Sequence, residues 1–75
     1  MLKELDPVVL KRDVPESRLN EGDVGTVVHV HGADTYEVEF VTVEGQTVAV
    51  LTLPGSALRK PDDQEMLHVR RIASA

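Results

Sequence analysis

The 75-residue chain has 13 acidic and 8 basic side chains, a formal charge of −5, no cysteine, no tryptophan and two aromatic residues. Without cysteine there is no disulfide framework, thiol nucleophile, iron–sulfur cluster or Cys-type zinc site, and the net negative charge disfavours binding to nucleic acid or an anionic membrane. At 41% hydrophobic and 28% charged residues the composition is that of a folded domain rather than a disordered segment, and one so small buries only ~60% of its unfolded surface, so its core must be simple.

Valine is the commonest side chain and threonine is frequent, so β-branched residues dominate the apolar segments and strand and turn signals alternate along the chain. The first predicted strand is Pro7 to Arg12, with Pro7 at its opening or on an edge because proline donates no ladder hydrogen bond. Asp13 to Gly22 reads as a polar loop held down by Val14 and Leu19. A second strand is expected from about Asp23 to His31, with Gly22 and Gly25 bracketing Asp23-Val24 as a turn followed by a bulge. Gly32 to Thr35 closes a hairpin into a third strand, Tyr36 to Val41. Its alternation puts Val38 and Phe40 on one face and Glu37 and Glu39 on a wet one.

After a turn at Val43 to Gln46, the fourth strand, Thr47 to Leu53, is apolar on both faces. Val48 and Val50 share one, Ala49, Leu51 and Leu53 the other, and the pattern leaves the inward face open. Pro54 to Leu58 fits a single 3₁₀ turn anchored by Leu58. Lys60 to Glu65 is a charged loop, and Met66 to Ile72 is expected to form the last strand. Five short strands with tight connections describe an all-β fold, a small, partly open barrel of the SH3-like kind spanning residues 1–75. Closure hides strand edges that a chain this small must protect.

The segments Leu5-Asp6-Pro7-Val8-Val9-Leu10, Gly22-Asp23-Val24-Gly25-Thr26-Val27-Val28, Tyr36-Glu37-Val38-Glu39-Phe40, Thr52-Leu53-Pro54, Leu58-Arg59 and Leu67-His68-Val69-Arg70, in that order, resemble the bacterial DUF4926 family. The resemblance implies a small β-rich protein of undefined biochemical role. Some relatives are encoded beside small uncharacterised or toxin-like proteins, which implies a protein partner. The segment Gly22 to Val28 is also similar to the core of a KOW element, the strand-and-turn unit of SH3-like barrels in ribosomal and transcription elongation proteins. RNA-binding KOW modules carry a basic loop nearby; here the neighbours are Glu21, Asp23, Asp34, Glu37 and Glu39.

Little in the chain suggests chemistry. His29 and His31, two apart on one strand, share a face, but a metal would need a third ligand from His68 or Asp34. No known zinc spacing is present. Glu37 and Glu39 alternate with apolar residues as on a solvated strand. Ser17, Ser56 and Ser74 lack a nucleophile setting, and no glycine loop cradles a phosphate. Neither catalysis, nor a metal, nor a cofactor is expected. The basic residues come in pairs, Lys11-Arg12, Arg59-Lys60 and Arg70-Arg71. Arg12, Arg59 and Arg70 are candidates for one patch meeting an acidic protein or a nucleic-acid backbone, against the alternative that they balance nearby acids. Stacking on single strands needs exposed aromatics, and only Tyr36 is a candidate once Phe40 is core.

The reading is a non-catalytic protein-binding module. It docks its partner through an edge strand or through the apolar surplus at Val48 and Val50, as an accessory or neutralising partner of a neighbouring gene product. The alternatives are a KOW-like RNA- or ribosome-associated module and a small structural subunit of an enzyme complex. The longest apolar run, Val48-Ala49-Val50-Leu51, is far short of the ~20 residues that span a bilayer. Met1 to Asp6 lacks the layout of a signal peptide, so a cytoplasmic address without membrane association is expected. Oligomeric state is not legible.

Overall fold

The computed structural model describes residues 2–72. Its strands are β1 (Pro7–Leu10), β2 (Val24–His31), β3 (Thr35–Val41), β4 (Thr47–Pro54) and β5 (Leu58–Arg59). They form one antiparallel sheet in the order β4-β3-β2-β1-β5. No ladder joins β4 to β5, so the sheet stays open between these two edges. The first and last strands nevertheless feed one apolar cluster, with Val8 and Leu10 from β1, Val38 and Phe40 from β3 and Leu58 from β5. Such sharing requires a strongly curled sheet, and the expected all-β, five-stranded, partly open architecture is what forms.

Each strand begins and ends where its residues dictate. Pro7 opens β1, where a missing donor costs least, and Val8, Val9 and Leu10 are all buried because β1 lies between β2 and β5. The loop before β2 contains a 3₁₀ turn at Pro15–Ser17 that the sequence reading did not include. Proline presets the turn, and Arg18 in the left-handed region ends it. Val14 and Leu19 bond each other's backbone across this turn and are buried, as expected of the two apolar residues in the loop. Gly22, with φ +95°, supplies the turn into β2, and its N–H donates to the Leu10 carbonyl.

Two register shifts decide which side chains face inward. β2 pairs Val27 with Val38 but His29 with Glu37, so Val28 is the extra residue of a bulge. The phase change turns Val30 toward the core and leaves His29 and His31 outside with Glu37. β4 pairs Ala49 with Phe40 but Thr47 with Val41, so Val48 is likewise the odd residue. Ala49, Leu51 and Leu53 therefore lie on the side of Phe40, Val38 and Tyr36, while Val50 and Thr52 lie on the side of Glu39 and Glu37.

Three sequence expectations are corrected. Gly25 is not part of a bulge: it pairs with Val8 in an unbroken ladder, and its φ is not positive. It is a packing glycine, as its neighbours show below. Tyr36 is not an exposed aromatic but is buried beside Val30. Met66–Ile72 is not a strand. The place beside β1 is taken by Leu58–Arg59, which pair with Leu10 and Val9, and Pro61 cannot extend the ladder. The 3₁₀ turn at Gly55–Ala57 thus precedes a last strand shorter and earlier than expected.

Candidate functional site

Residues 60–72 carry no regular structure among the described residues, yet charge fixes the segment to the sheet. Glu65 folds back to accept both terminal nitrogens of Arg59, at 2.7 and 2.8 Å, and the Asp62 N–H at 2.8 Å. Further on, the Arg70 Nε donates to Asp23 at 2.8 Å, and its guanidinium also reaches the Arg18 carbonyl at 3.0 Å. Asp23 meanwhile accepts the Asn20 N–H, so one carboxylate holds both the turn before β2 and the C-terminal segment. The apolar residues between these anchors remain outside: Met66, Leu67 and Val69 are exposed.

Two of the three arginines singled out as candidate contacts, Arg59 and Arg70, are therefore engaged by carboxylates of their own chain. Arg12 is exposed and makes no hydrogen bond or ion pair with a described residue. The ion pairs set the titration behaviour. Arg59 is the main cause that holds the Glu65 carboxyl at about 2, from an ordinary 4.5. Arg70 lowers Asp23, and the Lys3 backbone N–H lowers Asp6. A carboxylate whose pKa is depressed on folding stabilises the fold above its unfolded value and loses that contribution as pH falls through the folded one. Stability should thus decline from about pH 4.5 toward pH 2. In Arg59→Gln the Glu65 carboxyl carbon should titrate clearly above 2 by NMR, moving toward 4.5 while the Asp62 N–H still holds it somewhat down; a midpoint left at about 2 would mean that Arg59 is not the main cause.

The other candidate contacts, Val48 and Val50, do not share a face. Val48, through its bulge, packs half-buried against the core. It also lines an open cleft of about 470 Å³ with Leu19, Phe40, Val41, Val69 and Ile72. Val50 points outward and is 47% exposed. What unites them is the strand that carries them. β4 pairs only with β3 among the described residues, and no described strand pairs with its other edge along Thr-Val-Ala-Val-Leu-Thr-Leu-Pro, the C-terminal segment approaching only at the Val48 end of the strand. Every second residue of such an edge directs its N–H and C=O away from the sheet. Ala49 and Leu51, although on the core side, are only half-buried.

Sequence reasoning missed a second property of this region, although the signal was there. All eight Lys and Arg residues lie in 1–18 and 59–75, and none falls between Leu19 and Leu58. That interval holds Glu21, Asp23, Asp34, Glu37, Glu39 and Glu44. Since it contains β2, β3 and β4, these three strands carry acidic side chains and no Lys or Arg, while Arg70, held by Asp23, is the cation that folds back into the cleft beside Val48. Glu37 and Glu39 lie on the outer face one strand in from the edge, across from Thr52 and Val50. The Thr47 hydroxyl donates to Glu39 at 2.9 Å, and Glu37 lies 3.1 Å from His31 Nε2.

The histidines are close, with ring centroids 4.4 Å apart, but no group of three among the described residues is arranged to hold a metal. Ser17 and Ser56 belong to the two 3₁₀ turns; Ser74 lies outside the described residues. No described helix is long and apolar enough to cross a membrane.

A family model described as Domain of unknown function (DUF4926) matches residues 4–60. That span takes in all five strands and stops as the C-terminal segment begins. No curated protein and no solved structure matches the chain.

Proposed function

The chain belongs to the DUF4926 family, and from that premise we propose that it is a non-catalytic module that binds another protein by taking one of its strands onto the open edge of β4. The family brings no activity with it, so the reading stands on the edge itself. Long exposed edges invite pairing with other chains, and natural proteins blunt them with charge, proline, bulges or brevity. β4 runs for eight residues without a single charged side chain; its one proline comes last, and its bulge lies at the other end, by Val48. An edge left this inviting suits strand addition, in which main-chain hydrogen bonds supply affinity and alternate side chains supply specificity. In this reading the module is an accessory of the protein whose strand it accepts, in the cytoplasm. Two observations weigh against a nucleic-acid partner: both aromatic rings are buried, and the sheet from β2 to β4 contains no Lys or Arg.

Affinity capture from the cell of origin, with wild type beside Val50→Lys/Thr52→Lys, tests the reading. Both positions are exposed, so the variant folds while its edge becomes charged. A discrete protein should be recovered by the wild type with or without nuclease and be lost with the variant. Equal recovery by the variant, or recovery that nuclease abolishes, would set the reading aside.

A further inference from the structure

We propose that the strand accepted by β4 is cationic, an extended segment with lysine or arginine at its solvent-side positions and apolar residues at the alternate ones. The inference rests on the edge reading and specifies its occupant. A strand added at β4 would sit about 10 Å from β3, two strand spacings away. Its outer side chains would lie beside Val50 and Thr52, with Glu39 and Glu37 one strand further in. A lysine or arginine stem laid across Val50 covers exposed apolar surface while its head reaches toward the carboxylates, a division of labour that short or anionic side chains cannot perform. Its inner side chains would continue the row of Ala49 and Leu51 and complete their burial, which calls for apolar residues there.

Electrostatics argue for the same occupant at longer range. With no Lys or Arg between Leu19 and Leu58, nothing on β2, β3 or β4 opposes an incoming cation apart from the two histidines, and the acidic half-sheet steers it. A second copy fits less well. It would bring another chain of charge −5 and another row of Thr and Val, with no cation to answer Glu37 and Glu39.

Two peptides of the length of β4, one alternating valine with lysine and the other valine with glutamate, provide the test, read by amide NMR on the intact chain. The lysine peptide should shift the amide signals of Thr47 to Leu53. It should bind about tenfold more tightly than the glutamate peptide at low salt, as two exposed charge pairs allow. That advantage should shrink with added salt and vanish in Glu37→Gln/Glu39→Gln, which retains hydrogen-bond acceptors for Thr47 and His31. Equal binding of both peptides at β4 would overturn the cationic occupant and leave the edge reading standing. Binding of neither, shifts confined to other residues, or β4 amides protected only in a self-associated dimer would overturn both.

Discussion

Replacing Gly25 by valine is expected to lower stability by about 3 kcal/mol or more, the upper end of what overpacking a core costs. A Cβ built at this position comes within 2.7 Å of both Phe40 Cε2 and Val38 Cγ1, and 2.9 Å of Phe40 Cδ2. Neither neighbour has room to retreat, since Val38 is fully buried and Phe40 is 2% exposed. Alanine is the more diagnostic change. Its lower unfolded-state entropy is worth about 0.4–1 kcal/mol in its favour at an ordinary φ, so a net loss isolates the steric term. Urea unfolding should show Gly25→Ala destabilised in the native background and less so beside Phe40→Leu, where the clash with the ring is gone and only that with Val38 Cγ1 remains. Equal effects in the two backgrounds would refute the contact with the ring, and an unchanged midpoint for Gly25→Val would remove the packing role altogether.

Gly25 also illustrates what the sequence does and does not carry. The glycine's importance was legible; its reason was not. Backbone freedom and missing volume leave the same letter, and only the register that brings β3 across β2 tells them apart. The strands Pro7–Leu10, Val24–His31 and Thr35–Val41 were readable because their apolar residues alternate or cluster between clear turn signals. The last strand was misassigned because Leu67 and Val69 alternate as a strand would, whereas the edge beside β1 was already claimed by a two-residue segment too short to produce any period. The inward face of β4 was illegible for a related reason: Val48 is an inserted residue, and a bulge changes phase without any marker in composition. Of the candidate interface, the uncharged run from Thr47 to Pro54 and the absence of Lys and Arg from Leu19 to Leu58 can be read directly. That β4 is an edge cannot, because edges follow from strand order.

Removal of the Phe40 ring should be the most damaging truncation in the molecule. Phe→Ala in a core costs about 3–5 kcal/mol, and Phe40 should lie at the high end because of what surrounds it. Its partner across the β3–β4 ladder is Ala49, and on the β2 side the ring covers the space where Gly25 has no side chain. Two of the smallest residues thus flank the ring, and neither has atoms to move into the void. A 75-residue fold has only about 4–11 kcal/mol of total stability at the usual 0.05–0.15 kcal/mol per residue. Phe40→Ala should therefore lose a large share of that stability, with its thermal midpoint lowered by about 10–40 °C. Phe40→Leu, which fills part of the volume, should keep a sharp transition at a lower midpoint. A loss of under about 1 kcal/mol for Phe40→Ala would mean that the curled sheet closes without its ring. The consequence reaches the interface, since among the described residues β3 is the one strand that β4 pairs with, and Ala49, Leu51 and Leu53 lie on the Phe40 side of it. A strand-accepting edge has to be presented by a rigid neighbour. Phe40→Leu should accordingly weaken peptide binding at β4 in proportion to the disorder it introduces there, whereas an equally destabilising substitution at Val14, in the loop before β2, should leave that binding intact.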